Sequence, residues 1–299
     1  MINVADRPLA GIFWMLASGL SFVGVTGIVR YLGTDLPAVQ NAFIRFAFGL
    51  LFLMPALVPA VRAGFPKGAI PLFLWRGALH CLAVTLWFFA MARIPIAEVT
   101  AIGYLNPVVV TIGAALIFGE ALALRRILAI AMALAGALVV LRPGLRVIEP
   151  GHFAQLGAAA CFGISYLFAK KLSGIAPAGA IVAMLSLLVT IGLAPFAFAA
   201  WVHPSMAQLG LLALVAALAT LGHYLMTRAF AAAPLTVTQP VTFLQLVWAT
   251  LLGALVFGEG VDPYVLLGGG MIIAAISYIT IREAQQRRRV TPPVNAAKL

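Results

Sequence analysis

Carboxylates are scarce in this chain: Asp and Glu together supply eight of its 299 residues. None lies deep inside an apolar run, which excludes a buried carboxylate proton relay and an acidic sodium site. Cysteine is rarer still. Cys81 and Cys161 both fall within apolar runs, where a free thiol acts as a small hydrophobe, and no disulfide framework or metal-ligand spacing is present. The triple glycine at 268–270 follows no strand and precedes no Gly-Lys pair, so it is no phosphate-binding loop but a place for close helix packing. Charged residues amount to 9%, against about 25% in a soluble domain. An intramembrane enzyme would need paired carboxylates, a His–metal cluster or an activated nucleophile at depth, and the sequence offers none. It implies no cofactor and no metal.

What fills the chain instead is apolar: 64% of its residues are hydrophobic. A bilayer core of about 30 Å takes roughly 20 apolar residues per helical span. Ten such runs occur, near 9–30, 36–58, 71–92, 96–118, 124–142, 151–170, 178–202, 206–229, 235–257 and 263–281. The first is too long for a secretory signal and lacks its cleavage site, so it reads as a retained span. The net charge of +11 is distributed as a membrane requires. With the N-terminus inside, fourteen Lys and Arg fall on the cytoplasmic side and four on the outer side, Arg45 being left within a span. That positive-inside bias places both termini in the cytoplasm of a bacterial inner-membrane protein. It also assigns the basic tail, 283–299, to the lipid surface and not to nucleic acid.

The chain repeats itself. A shift of 139 residues carries Phe118-Gly119-Glu120 onto Phe257-Gly258-Glu259, Pro95 onto Pro234 and Asn106 onto Gln245. A shift of 140 carries Phe22 onto Phe162, Arg30 onto Lys170 and Pro55 onto Pro195. Residues 1–145 and 146–282 therefore form two halves of five spans each. Five is odd, so the second half enters the membrane inverted. Inverted repeats in secondary transporters place the substrate near the midplane, between halves that rock to expose it alternately. The repeated glutamates sit where spans 4 and 9 end, each behind a glycine that closes the helix, with Arg125 or Arg126 available to Glu120.

Arg45-Phe46, the run RGALHCLAVTLWFFAMARIPIAEVTAIGYLNPVVVTIGAALIFGE, the run RRILAIAMALAGALVVLRPG and the second FGE together resemble the drug/metabolite transporter superfamily with two EamA-type repeats. The resemblance covers nearly the whole chain. It implies an all-α membrane fold of ten helices arranged as two inverted repeats around a central cavity. The implied cargo is a small molecule: an amino acid, a nucleotide-linked metabolite, S-adenosylmethionine or a drug. Pro107 meets Leu246 in the second repeat, a departure that lets the halves bend differently.

Ionisable groups within a span cost at least about 2.5 kcal/mol at its centre, which makes each a functional candidate. Arg45 lies roughly 13 Å deep in span 2. It is either an anchor for a substrate carboxylate through its bidentate fork or a structural arginine on carbonyls freed at a helix break. Arg76, His80 and Trp87 share a face of span 3 with Val84; Arg76 is close enough to the cytoplasmic end to snorkel there, while His80 and Trp87 are cavity candidates. In span 8, His223 falls at the repeat position of Val84, beside Tyr224, so two histidines from opposed repeats can approach one cavity. Tyr104, Asn106 and Pro107 interrupt span 4. Thr238, Thr242, Gln245, Pro240 and Trp248 make span 9 its polar counterpart. Pro107 and Pro240 each free a carbonyl four residues back, and Asn106 and Gln245 occupy equivalent, cavity-lining positions. Trp14, Ser18 and Ser21 share a face of span 1. If transport is proton-coupled, His80 or His223 must titrate. The sequence thus points to an alternating-access carrier of amino acids and related metabolites, acting in export, with S-adenosylmethionine or a nucleotide-linked compound as the alternative.

Overall fold

Apolar runs of this length form helices because lipid offers no partner to a backbone amide or carbonyl, so each must bond within its own segment. The computed structural model describes residues 8–118, 124–145, 147–173, 175–232 and 241–290. Among them are eleven helices and no strand: α1 (Pro8–Leu32), α2 (Ala38–Ala63), α3 (Ala69–Met91), α4 (Ile96–Gly103), α5 (Asn106–Phe118), α6 (Leu124–Leu141), α7 (Pro150–Ser173), α8 (Ala178–Ala199), α9 (Met206–Ala232), α10 (Leu244–Phe257) and α11 (Pro263–Val290). Seven are long and apolar enough to cross a membrane. Three further apolar stretches, Ile96–Val110, Ile127–Leu141 and Leu244–Phe257, are shorter.

The run expected as span 4 is two helices, and its sequence explains the break. The N–H groups of Tyr104 and Leu105 bond three residues back, to Ala101 and Ile102, the tightened turn of a helix end. Asn106 then opens α5 with Pro107 in its first turn, where a missing amide donor costs nothing because no carbonyl waits for it. Leu244 opens α10 at the repeat position of Leu105, one residue before that of Asn106. Thr238, Gln239 and Pro240, the expected break in span 9, lie outside the described residues. So do Gly119 and Glu120, the first of the repeated Gly-Glu pairs.

Helices of one half pack on helices of the other: α3 against α7, α1 against α9, α2 against α8, and α6 against α11. Pro55 and Pro195, repeat mates in sequence, both lie within helices that meet, α2 and α8. The α6–α11 crossing is a backbone contact. A Cβ added at Gly136 would stand 2.6 Å from the carbonyl oxygen of Gly268, so the first of the three consecutive glycines serves the close packing its sequence suggested. Ser18 and Ser21 donate to the carbonyls of Gly222 and Leu218, both at 2.8 Å. They tie α1 to α9 and satisfy their hydroxyls inside the bundle. Large apolar side chains point outward, among them Phe196 and Leu255, an arrangement suited to lipid and costly in water.

Candidate substrate site

Helix α2 carries Arg45 and Phe46, whose adjacent side chains are not independent: the Arg45 guanidinium lies over the Phe46 ring, 4.1 Å from its centre. Phe46 meets His80 of α3 edge-on at 5.8 Å, and His80 meets Phe162 of α7 edge-on at 5.0 Å. Phe162 stacks in turn on Tyr166, one helical turn along, at 6.5 Å. Across the bundle, His223 of α9 meets Phe22 of α1 edge-on at 5.1 Å. The two histidine–phenylalanine pairs are reciprocal. Phe22 and Phe162 are repeat mates, and each abuts a histidine from the opposite half, with ring planes crossed at 76° and 69°.

These groups form one electrostatic unit. His80 interacts with Arg45, Arg76 and His223, and His223 interacts with Arg45 and Arg76. Two guanidiniums and two imidazoles from α2, α3 and α9 thus share one field, with Arg45 joined to His80 through the Phe46 ring. His223 retains accessible surface while it touches Phe22 and interacts with Arg45 and Arg76 on other helices, so that surface faces the bundle interior. Arg45 is half-buried, and among the described residues no hydrogen bond or ion pair holds its guanidinium. The alternative in which Arg45 is a structural arginine bonded to freed carbonyls therefore has no support there.

Arg76 corrects its expectation. It does not snorkel to an end: it is buried, and Nη1 donates to the carbonyl of Ile181 in α8 at 3.0 Å. Its own carbonyl accepts from Ser165 at 3.3 Å, and the Ser165 hydroxyl lies 3.5 Å from His80 Nδ1. Nε of Arg76 is buried with no acceptor among the described residues. Guanidinium placement by α8 and α7 is a tertiary event, which spacing along α3 alone could not reveal.

The other candidates are placed elsewhere. Trp87 packs edge-on against Phe88 and onto the core that α1, α2, α3, α8 and α9 share. Tyr104, at the break before α5, presents its ring edge-on to Phe243 and its hydroxyl 3.4 Å from the carbonyl of Thr242, so it joins the interruptions of spans 4 and 9. Asn106 has its side-chain oxygen buried without a partner among the described residues. Gln245 and Trp248 are half-buried on α10. Pro107 is exposed beside the break, and Pro240 lies outside the described residues. Tyr224 is exposed, and its hydroxyl accepts from Arg228 Nη1 at 2.9 Å. Phe22, Phe46, Phe162 and Tyr166 went unremarked as lining residues, although the 140-residue shift had already joined Phe22 to Phe162.

Acidic side chains gather at one end of the bundle, each against a basic partner. Arg30 Nη2 lies 2.8 Å from Glu259 Oε1, out of line for a hydrogen bond, while Arg30 Nη1 donates to the carbonyls of Met91 and Ile94 at 3.1 and 3.2 Å. Glu259 Oε2 accepts from the amide of Ile96 at 2.9 Å, capping the start of α4. Arg142 pairs with Asp262. Buried Glu98 lies 2.6 Å from His152 Nε2, whose Nδ1 is 3.0 Å from the amide nitrogen of Glu149. The expected role of Glu259 is met: Gly258 takes a left-handed φ of 66°, α10 stops, and the carboxylate bonds its neighbours. A cleft beside this network is lined by Pro95, Glu98, Thr250 and Asp262 among others.

Helices apolar on the outside, basic and aromatic groups converging inside and charges paired at one end define a multi-pass membrane transporter, not an enzyme. The model of the EamA-like transporter family matches residues 9–142 and again 149–281, and the chain belongs to that family, within the drug/metabolite transporter superfamily. It is 30% identical to a riboflavin transporter of Rhizobium johnstonii, over 95% of each chain. It is 26% identical to an S-adenosylmethionine uptake transporter of Rickettsia prowazekii, over 95% of this chain and 96% of that one. A pseudopaline exporter of Pseudomonas aeruginosa is 25% identical over 91% and 96%. One solved crystal structure superposes with a TM-score of 0.59 at 16% identity, covering 93% of this chain and 96% of its own, a likeness of fold alone.

Proposed function

We propose that the chain is a ten-span secondary carrier of the bacterial inner membrane, built as an inverted repeat, that moves amino acids and related carboxylate metabolites outward by alternating access. The reciprocal packing of α1 on α9 and α3 on α7 supports the two-fold relation. Positive-inside topology makes the ion-paired end the outer one. The observation that carries the reading is Arg45. Arg45 is half-buried, its guanidinium lies over the Phe46 ring and it is bonded to no described residue, which suits a carboxylate anchor. The half-buried rings of Phe22 and Phe162 receive the apolar part of the cargo.

A second reading takes a flavin as cargo. It is favoured by the riboflavin transporters of Rhizobium johnstonii and Vibrio cholerae, 30% and 28% identical, and by the aromatic rings around His80, which suit stacking on a flat ring system. S-adenosylmethionine, a cation, fits a site that carries two guanidiniums poorly. Counterflow in proteoliposomes with labelled phenylalanine, riboflavin and S-adenosylmethionine separates the readings. Amino-acid exchange that Arg45→Ala abolishes is expected. Riboflavin exchange with no amino-acid signal would replace the first reading by the second, and S-adenosylmethionine exchange alone would remove both.

A further inference from the structure

Opposite charges are conspicuously segregated in this molecule. Of the eight carboxylates, Glu98, Glu259 and Asp262 are engaged at the ion-paired end, where Glu149 also lies, and Asp35 sits in the turn before α2. Asp6, Glu120 and Glu283 fall at the opposite ends of their spans in the sequence. The residues 233–240 that precede α10 contain no acid. Among the described residues no carboxylate pairs with Arg45 or Arg76, and the two flank His80: Arg45 lies over Phe46, whose ring meets His80, and Arg76 stands one turn from His80 on α3. Arg76 spends Nη1 on a neutral carbonyl and leaves Nε buried without an acceptor. Arg76 is a permanent positive charge buried without a counter-ion among the described residues, and half-buried Arg45 beside it has none either; an unpaired buried charge is strongly destabilising.

We infer that the cargo supplies that counter-charge and carries at least two negative charges, as a dicarboxylate or a phosphate monoester. The inference rests on the carrier reading above and revises its cargo, keeping the carboxylate anchor at Arg45 and adding a second negative group. A zwitterionic amino acid brings one carboxylate together with an ammonium, which Arg45 and Arg76 repel, so the site keeps the net positive charge of the two guanidiniums. A dianion satisfies Arg45 with one group and the field of Arg76 with the other, each guanidinium being suited to paired oxygen acceptors. Phosphate and dicarboxylate share this chemistry, and the rings of Phe22 and Phe162 are indifferent to which of them a hydrophobic scaffold bears.

Matched probes test the inference. Purified carrier is titrated, with intrinsic tryptophan fluorescence as readout, against phenylalanine and phenylsuccinate, and against riboflavin and flavin mononucleotide; the same four are then measured as counterflow substrates in proteoliposomes. In chloride-free buffer the dianion of at least one pair should bind about tenfold or more tightly than its partner, and the pair that does so identifies dicarboxylate or phosphate as the source. Arg76→Gln should reduce that preference to within about threefold, and Arg76→Lys should retain most of it. Circular dichroism of both variants establishes that they fold. If Arg76→Gln does not, Arg45→Gln is read in the same way. Equal affinity within each pair overturns the inference and leaves the carrier reading intact. Saturation of the site by chloride, with no preference among the probes, overturns it also, since a small resident anion then supplies the charge. Dianion binding without flux of any probe supports the charge requirement and refutes the carrier reading.

Discussion

The ion pair between Arg30 and Glu259 is the sharpest place to test whether the paired end is a built clamp. It joins the end of α1, the α3–α4 junction and the end of α10 through groups that are only 20% and 10% exposed. At 2.8 Å the Coulomb attraction is about 6 kcal/mol at an effective dielectric of 20, before the loss of hydration of both groups is set against it. Removing one partner of a buried pair costs about 3–5 kcal/mol because the other charge is stranded. The two single changes should differ. Arg30→Gln leaves the Glu259 carboxylate with only the Ile96 amide, and about 3 kcal/mol is expected. Glu259→Gln keeps an acceptor for that amide and leaves Arg30 on the carbonyls of Met91 and Ile94, so about 1–2 kcal/mol is expected. The double variant should cost little more than the milder single, a coupling of about 2 kcal/mol. Unfolding of detergent-solubilised protein by titration with SDS measures all four corners of the cycle. Single effects that add to the double within about 0.5 kcal/mol would show that the two side chains do not act together, and the clamp would have to be abandoned.

Two glycines allow further tests. Gly136→Ala places a methyl group against the Gly268 carbonyl and should destabilise by about 1–3 kcal/mol in the same titration, whereas Gly270→Ala, with nothing within 4 Å of the new carbon, should change stability by less than about 0.5 kcal/mol; equal effects would deny the close α6–α11 crossing. Gly258 holds a φ of 66°, so Gly258→Ala should cost about 1–2 kcal/mol and Gly258→Asn less, and an Ala variant as stable as the parent would mean that α10 does not end in a left-handed turn.

Much of this architecture could be read directly. Long apolar runs, fixed by composition, become helices wherever lipid must be crossed, and ten runs predicted the positions of helices now described from α1 to α11. Pro107 marked an interruption correctly, because a residue without an amide donor is tolerated at a helix start and disruptive within one. The repeat, visible through Phe-Gly-Glu, anticipated reciprocal contacts between halves. Individual side chains were harder. Arg45, His80 and His223 were chosen because charge and imidazole are costly in a span, and they do share one field. Trp87, chosen by position on a helix face, lies half-buried beside a shared core, and Tyr224, chosen as the neighbour of His223, bonds Arg228. A face is fixed by local periodicity, but its occupant's neighbours belong to another helix.

The division has a physical cause. Hydrophobicity, charge bias and the internal repeat are properties summed along the chain, so the sequence alone determined a multi-pass helical membrane protein, its family and the helices that hold its basic residues. Electrostatic convergence depends on separations between side chains more than a hundred residues apart. Only the tertiary structure could turn Arg76 inward onto Ile181, set Phe22 and Phe162 against histidines of opposite halves, and gather Arg30, Glu259, Glu98 and His152 at one end while pairing no described acid with Arg45 or Arg76. A few ångströms decide whether a buried charge is neutralised or waits for a ligand, and those distances come from helix packing.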